Sequence, residues 1–115
     1  MDVKFSPVAN VLALSQITGE VRIYTYSEKQ TKEQLYMNYH TESCRTIEFS
    51  PNGNILYTGS SDGSIGVISN GALEGKLAGA HACPVNIVRH IEGDSIIATG
   101  DDDGCIKIWD LRLAA

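Results

Sequence analysis

The stretch Thr99 to Asp110, TGDDDGCIKIWD, sets Asp101, Asp102, Asp103 and Asp110 around Gly104, Cys105 and the single tryptophan, Trp109. Carboxylates at that density can chelate a cation, pair as general acid and base, or shape a turn. A calcium loop counted from Asp101 needs Gly at its sixth position and Glu at its twelfth. Ile106 and Arg112 stand there instead. A second candidate is GSSDG, Gly59 to Gly63, which fits G-x-S-x-G and would make Ser61 a nucleophile. That elbow needs a helix after the serine, whereas SIGVIS alternates like a strand. A hydrolase using Ser61, or a carboxylate pair from Asp101 to Asp103, is the enzymatic alternative. No base, oxyanion donor or metal set accompanies either, so no catalytic residue is assigned. Gly75-Lys76 lacks the glycine and hydroxyl of a phosphate loop, having Asn70 and Leu77 at those positions. His90 reads as a surface or loop residue lying past its strand. No second His or Cys lies near His90, so no metal site and no cofactor are expected.

The whole-chain balance narrows the classes further. The 115 residues fit one small domain, and 43% hydrophobic content allows a packed core. Apolar positions go mostly to Val, Ile, Leu and Ala, with 7% aromatic residues, which suits strands. Net charge is −5 and the nine Lys and Arg are scattered singly, so direct nucleic-acid binding by this segment is not expected. Cys44, Cys83 and Cys105 are odd in number and have no CxxC spacing, which implies free, buried thiols in a reducing compartment. No apolar run reaches the ~18 residues of a membrane helix. The start, MDVKFSPVAN, has no signal-peptide core. A soluble intracellular protein is expected.

These residues must be held by something, and the chain repeats itself. FSP occurs at Phe5-Ser6-Pro7 and again at Phe49-Ser50-Pro51, 44 residues on. Gly19, Gly63 and Gly104 keep nearly the same beat. Before them run NVLALSQ, NILYTGS and SIIATGD; after them EVRIYTY, SIGVISN and CIKIWDL. Each pair predicts strand, tight turn, strand. Further strands are predicted at Val3–Phe5, Thr46–Phe49 and Val85–Val88, and closing strands at Glu33–Asn38 and Gly75–Ala78. Glu28, Lys29, Lys32 and Glu33 read as a solvated connection. Four strands in about 42 residues, with no helical period, describe an all-β chain of propeller blades. A lone blade has two apolar faces and buries them only between neighbours.

Thr99, Asp103 four residues later, Trp109 on the following strand and His81 in the loop before them resemble the WD-repeat β-propeller family. The resemblance implies that His81, Thr99, Asp103 and Trp109 form one buried hydrogen-bond chain. The second unit keeps His40, Thr58 and Asp62 but has Ile68 in place of the tryptophan; the first has Leu14, Thr18 and Tyr24. Asp101 and Asp102 are then expected at the tip of a solvated turn. The organisation expected is a single partial propeller segment over 1–115. Blade 1 spans about 1–39, blade 2 about 44–79 and blade 3 about 84–115, the last without its outer strand. Because a seven-bladed ring at this repeat needs roughly 300 residues, the chain is expected to be a fragment. Its uncovered blade faces are expected to drive self-association.

HTESCRTIEFSPNGNILYTGSSDGSI and HACPVN with IIATGDDDGCIKIWDLR resemble, more narrowly, a nucleolar branch of the family linked to ribosomal RNA production. That resemblance implies a noncatalytic protein-interaction scaffold in ribosome biogenesis, nuclear or nucleolar, with protein partners. Loops joining blades and turns between second and third strands share one face, where Tyr39, Glu42, Arg45, Ser60, Cys83, Asn86, Asp101 and Asp102 are expected. Arg45, Asn86, Asp101, Asp102 and Arg112 are the candidate partner-binding residues, Arg45 foremost. WDLR, Trp109 to Arg112, also resembles the WDxR box of substrate receptors of cullin-RING ubiquitin ligases, with Arg112 docking. That is the alternative function.

Overall fold

The computed structural model describes residues 2–27, 30–38, 40–69, 72–92 and 96–111, with 34–37 and 72–74 described as backbone only. The strands are β1 (Asp2–Phe5), β2 (Val11–Ser15), β3 (Glu20–Tyr26), β4 (Thr31–Asn38), β5 (Cys44–Phe49), β6 (Ile55–Ser60), β7 (Ile65–Ser69), β8 (Ala72–Leu77), β9 (Val85–Glu92), β10 (Ile96–Asp101) and β11 (Ile106–Asp110). They form two four-stranded meanders, β1-β2-β3-β4 and β5-β6-β7-β8, and a three-stranded sheet, β11-β10-β9. All pairings are antiparallel. Among the described residues there is no helix. The all-β partial propeller read from the repeat is therefore the architecture found.

Alternation explains how the sheets stack. Successive residues of a strand point to opposite faces, so Leu56 and Tyr57 belong to different cores. The first core joins Ala13 and Val21 of sheet one to Cys44, Ile47, Leu56 and Ile68 of sheet two. The second joins Tyr57 and Ile65 of sheet two to Val85, Val88 and Ile97 of sheet three, with Trp109 packed against it. Among the described residues, the middle sheet contributes to both cores. Tyr57, Ile47, Ile65 and Ile97 are each 0% exposed.

The first strands β1, β5 and β9 lie side by side, each without a ladder partner on its open edge. Side chains of the preceding sheet take up amides of β5 and β9. Ile47 N donates to Asp2 Oδ2 (3.2 Å), Val88 N to Thr46 Oγ1 (3.2 Å) and His90 N to Glu48 Oε2 (3.3 Å). Asp2 pairs with Ser15 and Thr46 with Gly59, so the two acceptors occupy equivalent positions. This gives each buried edge a partner without a continuous sheet.

Several boundaries differ from the sequence reading. His90 lies inside β9, which runs on to Glu92 through a register shift at Ile96/Ile97. β4 begins at Thr31, before the predicted start at Glu33, so Lys32 belongs to the strand and not to a loop: it pairs with Thr25, as Glu33 does with Tyr24 past a register shift. Glu28 and Lys29 lie outside the described residues. Of the thiols expected to be buried, only Cys44 is; Cys83 is half-buried and Cys105 exposed on its turn.

The turn glycines test how tightly the sheets are joined. Gly63 and Gly104 both have positive φ, 83° and 82°, which costs a side chain roughly 1–2 kcal/mol. At Gly63 a Cβ would also lie 2.3 Å from the His81 carbonyl oxygen, whereas at Gly104 it would meet nothing within 4 Å. Urea unfolding should therefore show Gly63→Ala destabilising by at least about 1 kcal/mol more than Gly104→Ala. Equal losses would mean that the loop does not bear on the turn.

Candidate partner-binding face and its hydrogen-bond relays

Two histidines enter the molecule on the loops that join one sheet to the next. His81 is 3% exposed and its amide donates to Gly63 O at 3.0 Å, which pins the loop to the preceding turn. Its Nε2 lies 2.7 Å from Thr99 Oγ1 and its Nδ1 2.8 Å from Asp101 Oδ2. Trp109 Nε1 donates to the same Thr99 oxygen at 2.9 Å. An indole N–H only donates and an ionised carboxylate only accepts. The direction of the chain follows: indole to hydroxyl, hydroxyl to Nε2, Nδ1–H to carboxylate. Lys107 closes the outer side, with Nζ 2.6 Å from Ala80 O and 5.9 Å from the Trp109 ring centre.

The carboxylate is Asp101, not Asp103. Asp101 ends β10 and its Oδ1 accepts from the amides of Asp103 and Cys105, both at 3.0 Å. The turn therefore folds around Asp101 and leaves Asp103 exposed. The same bonds, that from His81 first, hold the Asp101 carboxyl below its ordinary range. Its side chain is 5% exposed, so Asp101 is also withdrawn from the partner-binding set in which the sequence placed it. Ser60, its counterpart in the second sheet, likewise accepts from the amide two residues on, Asp62 N, at 3.2 Å.

The second sheet runs a variant of the relay. His40 Nε2 lies 2.7 Å from Thr58 Oγ1, and Nδ1 2.8 Å from Ser64 Oγ, which donates in turn to Asp62 Oδ1. Ser64, unremarked in the sequence, stands between imidazole and carboxylate. Asp62 Oδ2 is 3.8 Å from His40 Nδ1. Burial opposes ionisation of Asp62, but the Ser64 hydroxyl and amide and the Thr41 amide and hydroxyl outweigh it and hold the carboxyl well below the usual range. Burial lowers the pKa of His40, partly offset by Asp62, while Lys76 adds to the lowering. No indole completes this chain: Ile68 is 3% exposed and packs in the first core.

Hydroxyl, imidazole and carboxylate are the parts of a hydrolytic triad. Here Thr58 is 0% and Thr99 1% exposed, so neither oxygen can meet a substrate. Ser61 Oγ accepts from Arg45 Nε at 2.9 Å, and both ring nitrogens of His40 and His81 are bonded elsewhere. One set of three potential metal donors comes together among the described residues: His81, Asp101 and Cys105, within 4.8 Å of one another. Sequence spacing gave no hint of it. Both His81 nitrogens are occupied by the relay, and burial raises the Cys44 thiol to about 12, leaving it a packing group.

Above the relays, the loops and turns share a face. Arg45 Nη1 reaches Asn86 Oδ1 (2.6 Å) and Asp102 Oδ1 (3.2 Å), and Asn86 Nδ2 donates to Asp102. Three of the candidate partner residues thus form one polar cluster across the second and third sheets. Ser43, Arg45, Ser61, Asn86 and the 73%-exposed Ile17 line a shallow depression beside it. Tyr39 and Arg112 lie outside the described residues.

Comparison with known proteins places this geometry. The model of the family described as WD domain, G-beta repeat matches residues 31–69 and 73–110. The chain belongs to the WD-repeat family. Each matched segment runs from the last strand of one sheet to the third strand of the next, so every repeat stitches two sheets together. WD repeat-containing protein 55 of zebrafish (Danio rerio) is 36% identical over 114 residues, 96% of this chain, and that of Homo sapiens 37% over 112 residues, 94% of it. The chain spans 29% of the length of both relatives. Among solved structures, Sqt1 of Chaetomium thermophilum bound to the N-terminus of ribosomal protein L10 is similar over 96% of this chain and 31% of its own, with 29% identity and a TM-score of 0.88.

Two outcomes test the relays. Asp101→Ala should cost about 2 kcal/mol, because it strands His81 and two turn amides, while Asp103→Ala stays within about 0.5 kcal/mol. Stability should also fall on acidification. His40 is held below its unfolded pKa, so its contribution is present above pH ~6.5 and fades below it; those of Asp62 and Asp101 fade below pH ~4. Thermal melts from pH 8 to 5 should lose most of their slope in His40→Asn. An unchanged slope would remove His40 from the account.

Proposed function

We propose that this WD-repeat segment supplies part of a noncatalytic platform that binds protein segments during ribosome assembly, in the nucleus. The observation that carries the reading is the charge of the loop-and-turn face. Glu42, Asp102 and Asp103 are exposed on its loops and turns, with Arg45 beside them in the cluster with Asn86 and Asp102. Such a surface repels phosphate backbones and attracts a segment carrying Lys or Arg. The depression beside Ile17 offers that segment an apolar contact.

The resemblance to WD repeat-containing protein 55, and to a Sqt1 structure that holds the N-terminus of a ribosomal protein, supports the ribosomal setting. The buried relay hydroxyls support a platform over a hydrolase. The ubiquitin-ligase alternative rests on the WDLR stretch, Trp109 to Arg112, whose docking residue Arg112 lies outside the described residues.

Fluorescence anisotropy with a labelled N-terminal peptide of ribosomal protein L10 tests the reading. Binding should weaken at least fivefold between 50 and 300 mM salt, as charge-driven association does (about tenfold or more is common when several ions are released). Glu42→Gln with Asp103→Asn should weaken it about as much with the melting temperature unchanged. Absence of binding, or indifference to that double change, would count against this face.

A further inference from the structure

We propose that the turn of the third sheet and the loop packed on it bind a thiophilic divalent cation of the zinc class, through the sulfurs of Cys83 and Cys105 and a carboxylate oxygen of Asp101. Two elements supply the three donors. Cys83 follows His81 by two residues on the loop between β8 and β9, and Cys105 sits on the turn between β10 and β11. The Cys105 sulfur, an Asp101 carboxylate oxygen and a His81 ring nitrogen lie within 4.8 Å of one another. The Cys83 thiol is a hydrogen-bond partner of the same carboxylate, and the Asp103 amide donates to its sulfur. A buried carboxylate is thus flanked by two free thiols, one half-buried and one exposed. Two thiolates and a carboxylate, with the solvent side left for water, are donors that suit Zn²⁺ and not a hard cation such as Mg²⁺.

The relay decides which atoms are ligands. His81 Nε2 accepts from Thr99, so Nδ1 carries the proton and donates to Asp101 Oδ2. A metal on Nδ1 would drive that proton to Nε2 and leave the buried Thr99 hydroxyl without its acceptor, which is costly. Asp101 meets no such conflict. Its Oδ1 accepts from two amides and its Oδ2 from one imidazole N–H, whereas an ionised carboxylate has about four lone-pair positions. The remaining position takes either a thiol proton or a metal, and His81 then orients the ligand from behind. Zinc holds sulfur at about 2.3 Å and oxygen at about 2.1 Å, so rotation of the exposed Cys105 side chain brings it from its present reach to a shared ion. The exposed carboxylates of Asp102 and Asp103 on the same turn make the potential there favourable to a cation. On binding, each thiol gives its proton to solvent and its sulfur bonds the metal. The ion ties loop to turn and cancels part of the acidic charge of the face above.

Titration of the reduced 115-residue chain with Co²⁺, a spectroscopic stand-in for Zn²⁺, tests the site. One equivalent should produce a near-ultraviolet sulfur-to-cobalt band and the intense visible bands of a tetrahedral centre, and Zn²⁺ should abolish both. Cys83→Ser and Cys105→Ser should each weaken the sulfur band and lower the Zn²⁺ affinity at least about tenfold, and the double change should remove the band. Apparent affinity should rise with pH, because two thiol protons are released. Cadmium NMR of the unaltered chain needs no variant and should report two sulfur ligands. The His81 Nδ1 proton should persist with metal bound. A chain without a sulfur-to-cobalt band, a band that survives the double change, a cadmium signal with fewer than two sulfurs, or loss of the His81 Nδ1 proton on binding would each overturn the proposal.

Discussion

A buried imidazole joins one sheet to the next and cannot be moved without breaking both. His81 arrives on a loop whose amide is fixed to the turn of the preceding sheet, and its ring spans from a strand hydroxyl to a turn carboxylate in the following one. Polar groups removed from water cost several kcal/mol unless every one finds a partner. Here each does, and among the described residues no buried side-chain nitrogen or oxygen is left without one. The direction of donation along the chain fixes a single arrangement of loop, strand and turn. Hydrophobic packing between the sheets is larger in sum but tolerant of sliding; the relay sets the register of one sheet against its neighbour.

The rest of the structure is arranged around that constraint. A meander of four strands has two apolar faces, so stacking is obligatory, and the loops that carry histidines across from sheet to sheet gather on one face. Acceptors at Asp2, Thr46 and Glu48 reach over the inner edges to the next strand's amides, so the stack is also tied where no ladder runs. Turns stiffened from beneath by the relays then present Asp102 and Asp103, together with Arg45 and Asn86. Side chains held in this way would need no rearrangement to meet a partner, which would keep the entropic cost of association low.

Much of this was legible in the residues because the repeat writes the same physics several times. Alternation at period two and the FSP and glycine beat located the strands, and the WD resemblance named His81, Thr99 and Trp109 as one chain. Less legible was which carboxylate would close it. Asp101, Asp102 and Asp103 are chemically identical, and only the fold of the turn, with two amides aimed at Asp101, separates them. Ser64 escaped notice for a related reason: a small hydroxyl beside a turn carries no periodic signal until the gap between His40 and Asp62 is seen to need filling. Cross-strand length was also hidden, since the bulge that lets β9 reach Glu92 depends on pairing and not on local propensity.

The account predicts a definite tautomer, which nitrogen NMR reads directly. Long-range proton–nitrogen correlation at pH 8 should show Nδ1 protonated and Nε2 unprotonated in both His40 and His81, with the Trp109 indole proton slow to exchange. Protons on Nε2, or a freely exchanging indole, would contradict the relay on which the stacking of the sheets depends.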